Sequence, residues 1–476
     1  MKRQRRQQSE SSYALRSHHL RLLASLSFFF FTLGSTVADR IDDYVKHHLK
    51  REHIPGLTFA VSKDGKMVRA SAYGFANLEL GVRATQDTVY EIGSITKQFT
   101  ATAIMMLMER GVVGLDDTLP KYVDGIPTAW TNVTVRHLLT HTSGIKSYTG
   151  VTNFVTLARN DHKATDIIKM VSNFPLEFQP GEKWNYNNTG YYLLGMIVEK
   201  ASGKSYWDFL REQVFQPLGM TTTRNSDPQF VIPNRARGYS WVSNSFQNLD
   251  PITASSGWAA GSLVSTVDDL VKWDAALYTE RLLRKSTLDQ MWTSAKLNNG
   301  TNTDYGFGWS VGKREGHREV GHGGGTAGFS TYIARFIDDK LTVIVLTDSS
   351  GGTAANIARG IAGFYLPALR EKHISDNDPE ITDKLKGILI ATIEGKLDPE
   401  SFTAERRARL FPERARQLQL DLKDLGPLKS FQLLNSKAGS DIRTRRYRAT
   451  FQKETLIFRV DLNPEGKIST YSVGYE

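Results

Sequence analysis

The sequence predicts an α/β fold of the α+β kind: one antiparallel sheet flanked by helices, a helical lobe inserted between its strands, and a small α+β domain after it. Three observations carry this expectation. Strand-like runs Leu57 to Ser62 and Lys66 to Ala72 are joined through Asp64-Gly65, a hairpin signal. A second pair, Phe329–Phe336 and Leu341–Thr347, is joined through Asp338-Asp339 near the other end of the same region. Between them, roughly Leu115 to Trp258 is mostly helix patterns and Gly/Pro-punctuated loops. Strands drawn from both ends around an insertion leave a cleft at the junction, a common place for ligands.

Taken in order, residues 1–38 read as a signal peptide. Lys2, Arg3, Arg5, Arg6, Arg16 and Arg21 precede the apolar run Leu22 to Leu33, and Thr36 and Ala38 fit the cleavage positions. The run is shorter than the roughly 18 residues of a spanning helix. The expectation is an exported chain, periplasmic or extracellular, membrane-anchored only if the segment is retained. This segment also holds half of the formal charge of +10, so the remainder is only mildly basic. With no basic block beside exposed aromatics in the central region, nucleic acid is not an expected partner. The chain has no Cys, which rules out disulfides and lipid attachment through cysteine.

Asp39 to Lys50 reads as an amphipathic helix with Ile41, Tyr44, Val45 and Leu49 on one side. Glu91-Ile92-Gly93-Ser94-Ile95-Thr96-Lys97-Gln98-Phe99 then opens a long helix pattern. Ser94 and Lys97, three apart, share a face, with Cβ atoms about 5–6 Å from one another. Ser94 sits at the helix mouth, where unpaired N–H groups and the dipole favour developing negative charge. Phe99 to Met108 is apolar on nearly every side, which places the helix in a core, with Gly111 as its C′ residue. Further helices are expected at Val135–Leu139, Ala164–Phe174, Tyr191–Ser202, Tyr206–Val214 and Ala354–Leu369. The main domain is thus 39–370, followed by a polar linker, 371–379, and a small α+β accessory domain, 380–476. The latter carries helix patterns near Ile381–Gly395 and Pro399–Leu420, then alternating strands around Tyr447, Ala449 and Phe451 and around Leu456, Phe458 and Val460. The Arg run from Arg443 to Arg448 reads as the solvated face of a strand.

Ser-x-x-Lys alone is weak evidence for chemistry, and a second copy, Ser143-Gly144-Ile145-Lys146, reads as a loop because Gly144 favours a turn. Two other elements add weight. Trp184-Asn185-Tyr186-Asn187-Asn188 contains the only Tyr-x-Asn, just before an apolar helix. Gly321-His322-Gly323-Gly324-Gly325 contains the only His-x-Gly and leads into the Phe329 strand.

In this order and spacing, the three elements resemble the serine β-lactamase and D,D-peptidase superfamily, in its class C-like branch with related esterases and D-aminopeptidases. Framework stretches His137–Gly144, Pro217–Met220 and Gly261–Thr266 extend the resemblance over about Asp39 to Leu369. It implies a β-lactamase/transpeptidase-like fold, Ser94 as nucleophile, Lys97 as its partner and Tyr186 as general base. It also implies Asn188, His322 and Gly324 as substrate-binding residues, and the N–H groups of Ser94 and Gly325 as the oxyanion hole. On chemical grounds either a crowded, desolvated lysine or a phenolate held between cations can take the serine proton, and the sequence does not choose.

His322 stands where relatives carry a permanent cation, and Gly323 lacks the hydroxyl they use on a substrate carboxylate. The expected activity is therefore a covalent acyl-serine hydrolase acting on esters, amides or D-amino-acid peptides. The alternatives are a β-lactamase, a D-alanyl-D-alanine carboxypeptidase, or a penicillin-binding sensor that does not turn over. No cofactor and no metal are expected. His137 and His141 are spaced as a helical metal pair would be, but no third ligand accompanies them. The expected partner is a small-molecule or peptide substrate, including one derived from peptidoglycan. No integral membrane domain is expected after signal cleavage.

Overall fold

The computed structural model describes residues 37–370 and 372–475, so the signal segment lies outside the described residues apart from Val37 and Ala38. Those two begin helix α1, Val37–Arg51. Seven strands form the main antiparallel sheet, in the order Val82–Arg83, Lys66–Asn77, Gly56–Lys63, Leu341–Thr347, Phe329–Phe336, His317–Thr326, Ser310–Arg314. The two sequence-predicted hairpins therefore meet at the centre, where Leu57–Lys63 pairs with Leu341–Thr347. Asp64 and Gly65 both take positive φ (52° and 70°), as a two-residue hairpin turn needs.

Both faces of this sheet are covered. Leu57, Phe59 and Val61 face a core shared with α1 and the Ala354–Tyr365 helix, while Ala60 belongs to the larger core of the helical lobe. Every residue from Gly56 to Ser62 is consequently buried, and alternation is lost from the sequence although not from the packing. Helix α2, Thr96–Glu109, runs through the larger core with all residues from Thr96 to Leu107 buried. Gly111 follows with φ +71°, the left-handed C′ geometry expected.

Several boundaries moved. Ser94 lies in a single 3₁₀ turn, Gly93–Ile95, that precedes α2 rather than in the helix itself. Pro399–Leu420 is not one helix but a short turn and two helices, Ala404–Leu410 and Glu413–Leu422, because Pro412 cannot continue the helix before it. The His322 motif does not merely lead into a strand; it lies within one, His317–Thr326, whose glycines hid it from a propensity reading. The helix that holds His137 ends at Leu139, and His141 takes φ +59°, so the two histidines do not share a helical face.

The C-terminal unit has its own four-stranded antiparallel sheet and its own core, with Leu389, Phe402, Tyr447, Phe458 and Ile468 fully buried. Arg445 is not solvated, contrary to expectation. It is 3% exposed and bonds Asp376 (3.2 Å) and Thr382 (3.1 Å), stapling the end of the linker to the sheet. Among the described residues no helix is long and apolar enough to cross a membrane.

Candidate active site

From Thr88 to Leu107 every residue is buried except Ser94. Its exposure follows from two glycines. Gly93 takes φ +52°, and a Cβ there would fall 2.8 Å from the Gly325 nitrogen; one on Gly324 would fall 1.9 Å from the Ile92 carbonyl oxygen. Neither side chain is tolerable, so the turn bearing Ser94 lies flat against the Gly324-Gly325 stretch. That stretch is open on its other side, because Ser310–Arg314 pairs only with His317 to Gly321. His322 to Thr326 thus presents a free strand edge beside the serine, a template for an extended substrate backbone.

Lys97 is fully buried, and its Nζ lies 3.0 Å from Ser94 Oγ, 2.8 Å from Asn188 Oδ1 and 2.7 Å from the Ala260 carbonyl. None of these neighbours is a carboxylate. Burial therefore holds the Lys97 pKa well below its ordinary range. In the neutral form an amine has two N–H groups and one lone pair. Asn188 Oδ1 and the Ala260 carbonyl only accept, so they take both N–H groups, and the lone pair faces Ser94, whose O–H donates to it. The Ala260 carbonyl, absent from the sequence reading, is aimed by a kink at Trp258 (φ 34°, ψ −126°), a costly conformation for a non-glycine residue. The Gly261–Thr266 framework stretch was the only sequence signal near it.

Tyr186 and Asn188 flank Asn187, which caps the Asn188–Ser202 helix by accepting from the Gly190 N–H at 2.7 Å. The Lys97 Nζ lies 4.8 Å from the Tyr186 ring centre. The Tyr186 hydroxyl is buried and makes no hydrogen bond that satisfies both distance and angle, yet the Ser94 hydroxyl is close enough to draw its pKa down somewhat. Burial outweighs that pull and raises the phenol above its ordinary value, so it remains protonated.

His322 is 5% exposed, and burial lowers its pKa to about 4, a direction in which any charge on Lys97 would also push it. The Gly323 carbonyl, 2.6 Å from Nδ1, can only accept, so Nδ1 carries the proton and Nε2 accepts from the Tyr305 hydroxyl at 2.8 Å. With both nitrogens engaged, the ring is neutral and offers no free donor to a substrate. Gly324 and Gly325 on the same strand remain accessible through their backbone. Tyr305 has no motif to announce it.

His141 is a second residue whose place the sequence left open. Its carbonyl accepts from the Asn185 N–H and its Nδ1 from the Asn187 N–H, both at 3.0 Å. Its ring centre lies 4.3 Å from that of Tyr186. It therefore grips the Tyr186 loop on both sides. Lys146, of the second Ser-x-x-Lys, pairs with Glu177 at 2.8 Å, and Gly144 takes φ +73°, so that copy is a loop.

Comparison with known proteins bears on the fold and the family. The Beta-lactamase family model matches residues 41–364. Penicillin-binding protein 4* of Bacillus subtilis is 33% identical over 314 residues, 62% of this chain and 68% of that protein. The octameric penicillin-binding protein homologue of Pyrococcus abyssi matches with a TM-score of 0.62 at 27% identity, covering 92% of this chain and 96% of that one. D-amino acid amidase from Ochrobactrum anthropi SV3 matches with a TM-score of 0.60 at 27% identity, covering 70% and 98%. With a family model matched over more than half of its length and a fold shared with these solved structures, the chain belongs to the Beta-lactamase family, within the serine β-lactamase/transpeptidase superfamily of hydrolases.

Proposed function

We propose that this chain is an exported hydrolase of the class C-like branch that cleaves ester, amide or D-amino-acid peptide bonds through an acyl-Ser94 intermediate. The observation that carries the proposal is the setting of Lys97: buried without a carboxylate, its Nζ meets two carbonyl acceptors, Asn188 Oδ1 and Ala260, beside the one accessible hydroxyl of its segment. Ser94 Oγ attacks the acyl carbon while its proton passes to Lys97 Nζ. The oxyanion is received by the Ser94 and Gly325 N–H groups, each such donor being worth about 10²–10³ in rate. Tyr186, still a phenol, protonates the leaving group and is reprotonated from Lys97. Water then enters by the reverse path and releases the acid. This assigns the base role to Lys97 and the relay role to Tyr186.

A neutral, engaged His322 supplies no positive charge to a substrate carboxylate. Substrates without the penicillin-like carboxylate are therefore favoured over β-lactams, and the similarity to a D-amino acid amidase points the same way. The test is labelling of the purified protein by a fluorophosphonate and by a fluorescent penicillin, beside Ser94→Ala. Labelling by the fluorophosphonate alone, lost in Ser94→Ala, is expected. Labelling that survives in Ser94→Ala moves the nucleophile elsewhere, and nitrocefin turnover rivalling that of a p-nitrophenyl ester removes the substrate preference. Export rests on the N-terminal pattern, and N-terminal sequencing of secreted protein should begin at Asp39.

A further inference from the structure

A cleft of about 960 Å³ lies away from Ser94, walled on one side by α1 and the Ala354–Tyr365 helix and on the other by the accessory sheet. Its lining holds ten Lys and Arg side chains but only two acids, Asp43 and Glu454. Two of the ten, Arg51 and Arg359, are paired with Glu52 and Glu319. In contrast, Arg40, Lys46, Lys50, Arg314, Lys429 and Lys453 have no ion-pair partner among the described residues. Exposed lysines are ordinary one at a time, but facing walls of one concavity that both carry uncompensated charge form a field that collects anions.

We infer that this cleft binds a flexible linear polyanion bearing repeated phosphate groups, held between the catalytic and accessory domains. A single phosphate cannot neutralise six unpaired cations spread over two walls, whereas a chain of phosphates can. A flat bilayer cannot enter a concave site. Stacked bases find little platform among the described residues: Arg40 and Arg370 cover the Phe364 ring at 5.3 and 4.9 Å, Tyr44 packs edge-on against His48 and Phe364, and Phe451 is buried. The accessory domain then has a task, to hold the hydrolase on an anionic polymer while Ser94 works. The inference is independent of the chemistry at Ser94.

The test is fluorescence anisotropy of labelled linear inorganic polyphosphate with the full chain near physiological salt. Lys46→Gln/Lys50→Gln on one wall and Lys429→Gln/Lys453→Gln on the other should each weaken binding about tenfold or more. In the quadruple variant the slope of log affinity against log salt should fall by about three. Hydrolysis of a p-nitrophenyl ester, unchanged in all of them, shows that they fold. Equal weakening by Lys296→Gln/Lys340→Gln, outside the cleft, overturns the inference. So does an absence of binding, or equal affinity for phosphatidylglycerol vesicles or duplex DNA.

Discussion

Among the described residues the basic side chains of Arg335 and Lys97 are both fully buried, and they are treated in opposite ways. Arg335, in the Phe329–Phe336 strand, is 0% exposed, donates from Nε to Asp274 at 2.7 Å, and is surrounded by the rings of Tyr278, Trp292 and Trp309 at 4.9, 4.8 and 5.4 Å. Thr342 donates to the same carboxylate oxygen at 2.8 Å. Lys97 has no carboxylate and no counter-charge, only neutral acceptors. A compensated charge fastens helix Val267–Ala276 to the sheet, whereas an uncompensated buried amine is driven towards its neutral form, the state the proposed mechanism uses. The presence or absence of one carboxylate separates a structural cation from a reactive one.

The largest expected difference is in rate. Ser94→Ala and Lys97→Met should each lower the acylation rate of a p-nitrophenyl ester on the order of 10⁴-fold, read by stopped-flow, with little loss of thermal stability. A Lys97→Met enzyme that keeps near-normal turnover would break the contrast. Arg335→Met should act the other way. It leaves Asp274 buried and unpaired, so urea unfolding should report a loss of about 3–5 kcal/mol, while kcat/KM of the folded fraction stays close to wild type. Adding Asp274→Leu should recover part of that loss, since the stranded charge is then gone.

Tyr186→Phe should reduce kcat about 10²-fold with no change in stability, because the missing hydroxyl makes no fixed hydrogen bond in the resting enzyme. A smaller and sharper reading comes from pH. Reactivity of Ser94 should rise with pH on a limb that belongs to Lys97 and lies well below the ordinary lysine range. His322, neutral above about 4, should add no limb at neutral pH. The stability sign follows from proton counting. Between its lowered folded pKa and its unfolded value near 10.5, Lys97 binds more protons unfolded than folded. Wild-type stability relative to Lys97→Met should therefore increase with pH across that window and level off above it. Urea titrations at several pH values that give a flat or falling difference would show that Lys97 stays charged.

Some of this was legible in the chain alone. Hydrophobic patterning and turn residues are local, so the strands Phe329–Phe336 and Leu341–Thr347 and the helix Val135–Leu139 were read with their observed ends. The spacing of Ser94 and Lys97 survived a change from α-helix to 3₁₀ turn, because residues three apart stay adjacent in either form. Strand His317–Thr326 was legible only through the family resemblance, which puts His322-Gly323-Gly324 on a strand; its glycines carry no β signal of their own, and they are there for close backbone approach.

Residue type and short spacing alone thus pointed to the candidate reactive residues and to most of the helices and strands. The folded structure decided the rest. The choice of Lys97 as proposed base rests on two acceptors from distant segments, Asn188 and Ala260, which leave its lone pair for Ser94. The lowered pKa of His322 follows from burial, and its tautomer from Gly323 and from Tyr305, a residue seventeen positions away in sequence. Desolvation and the sum of nearby charges belong to three-dimensional surroundings, and no local pattern encodes them.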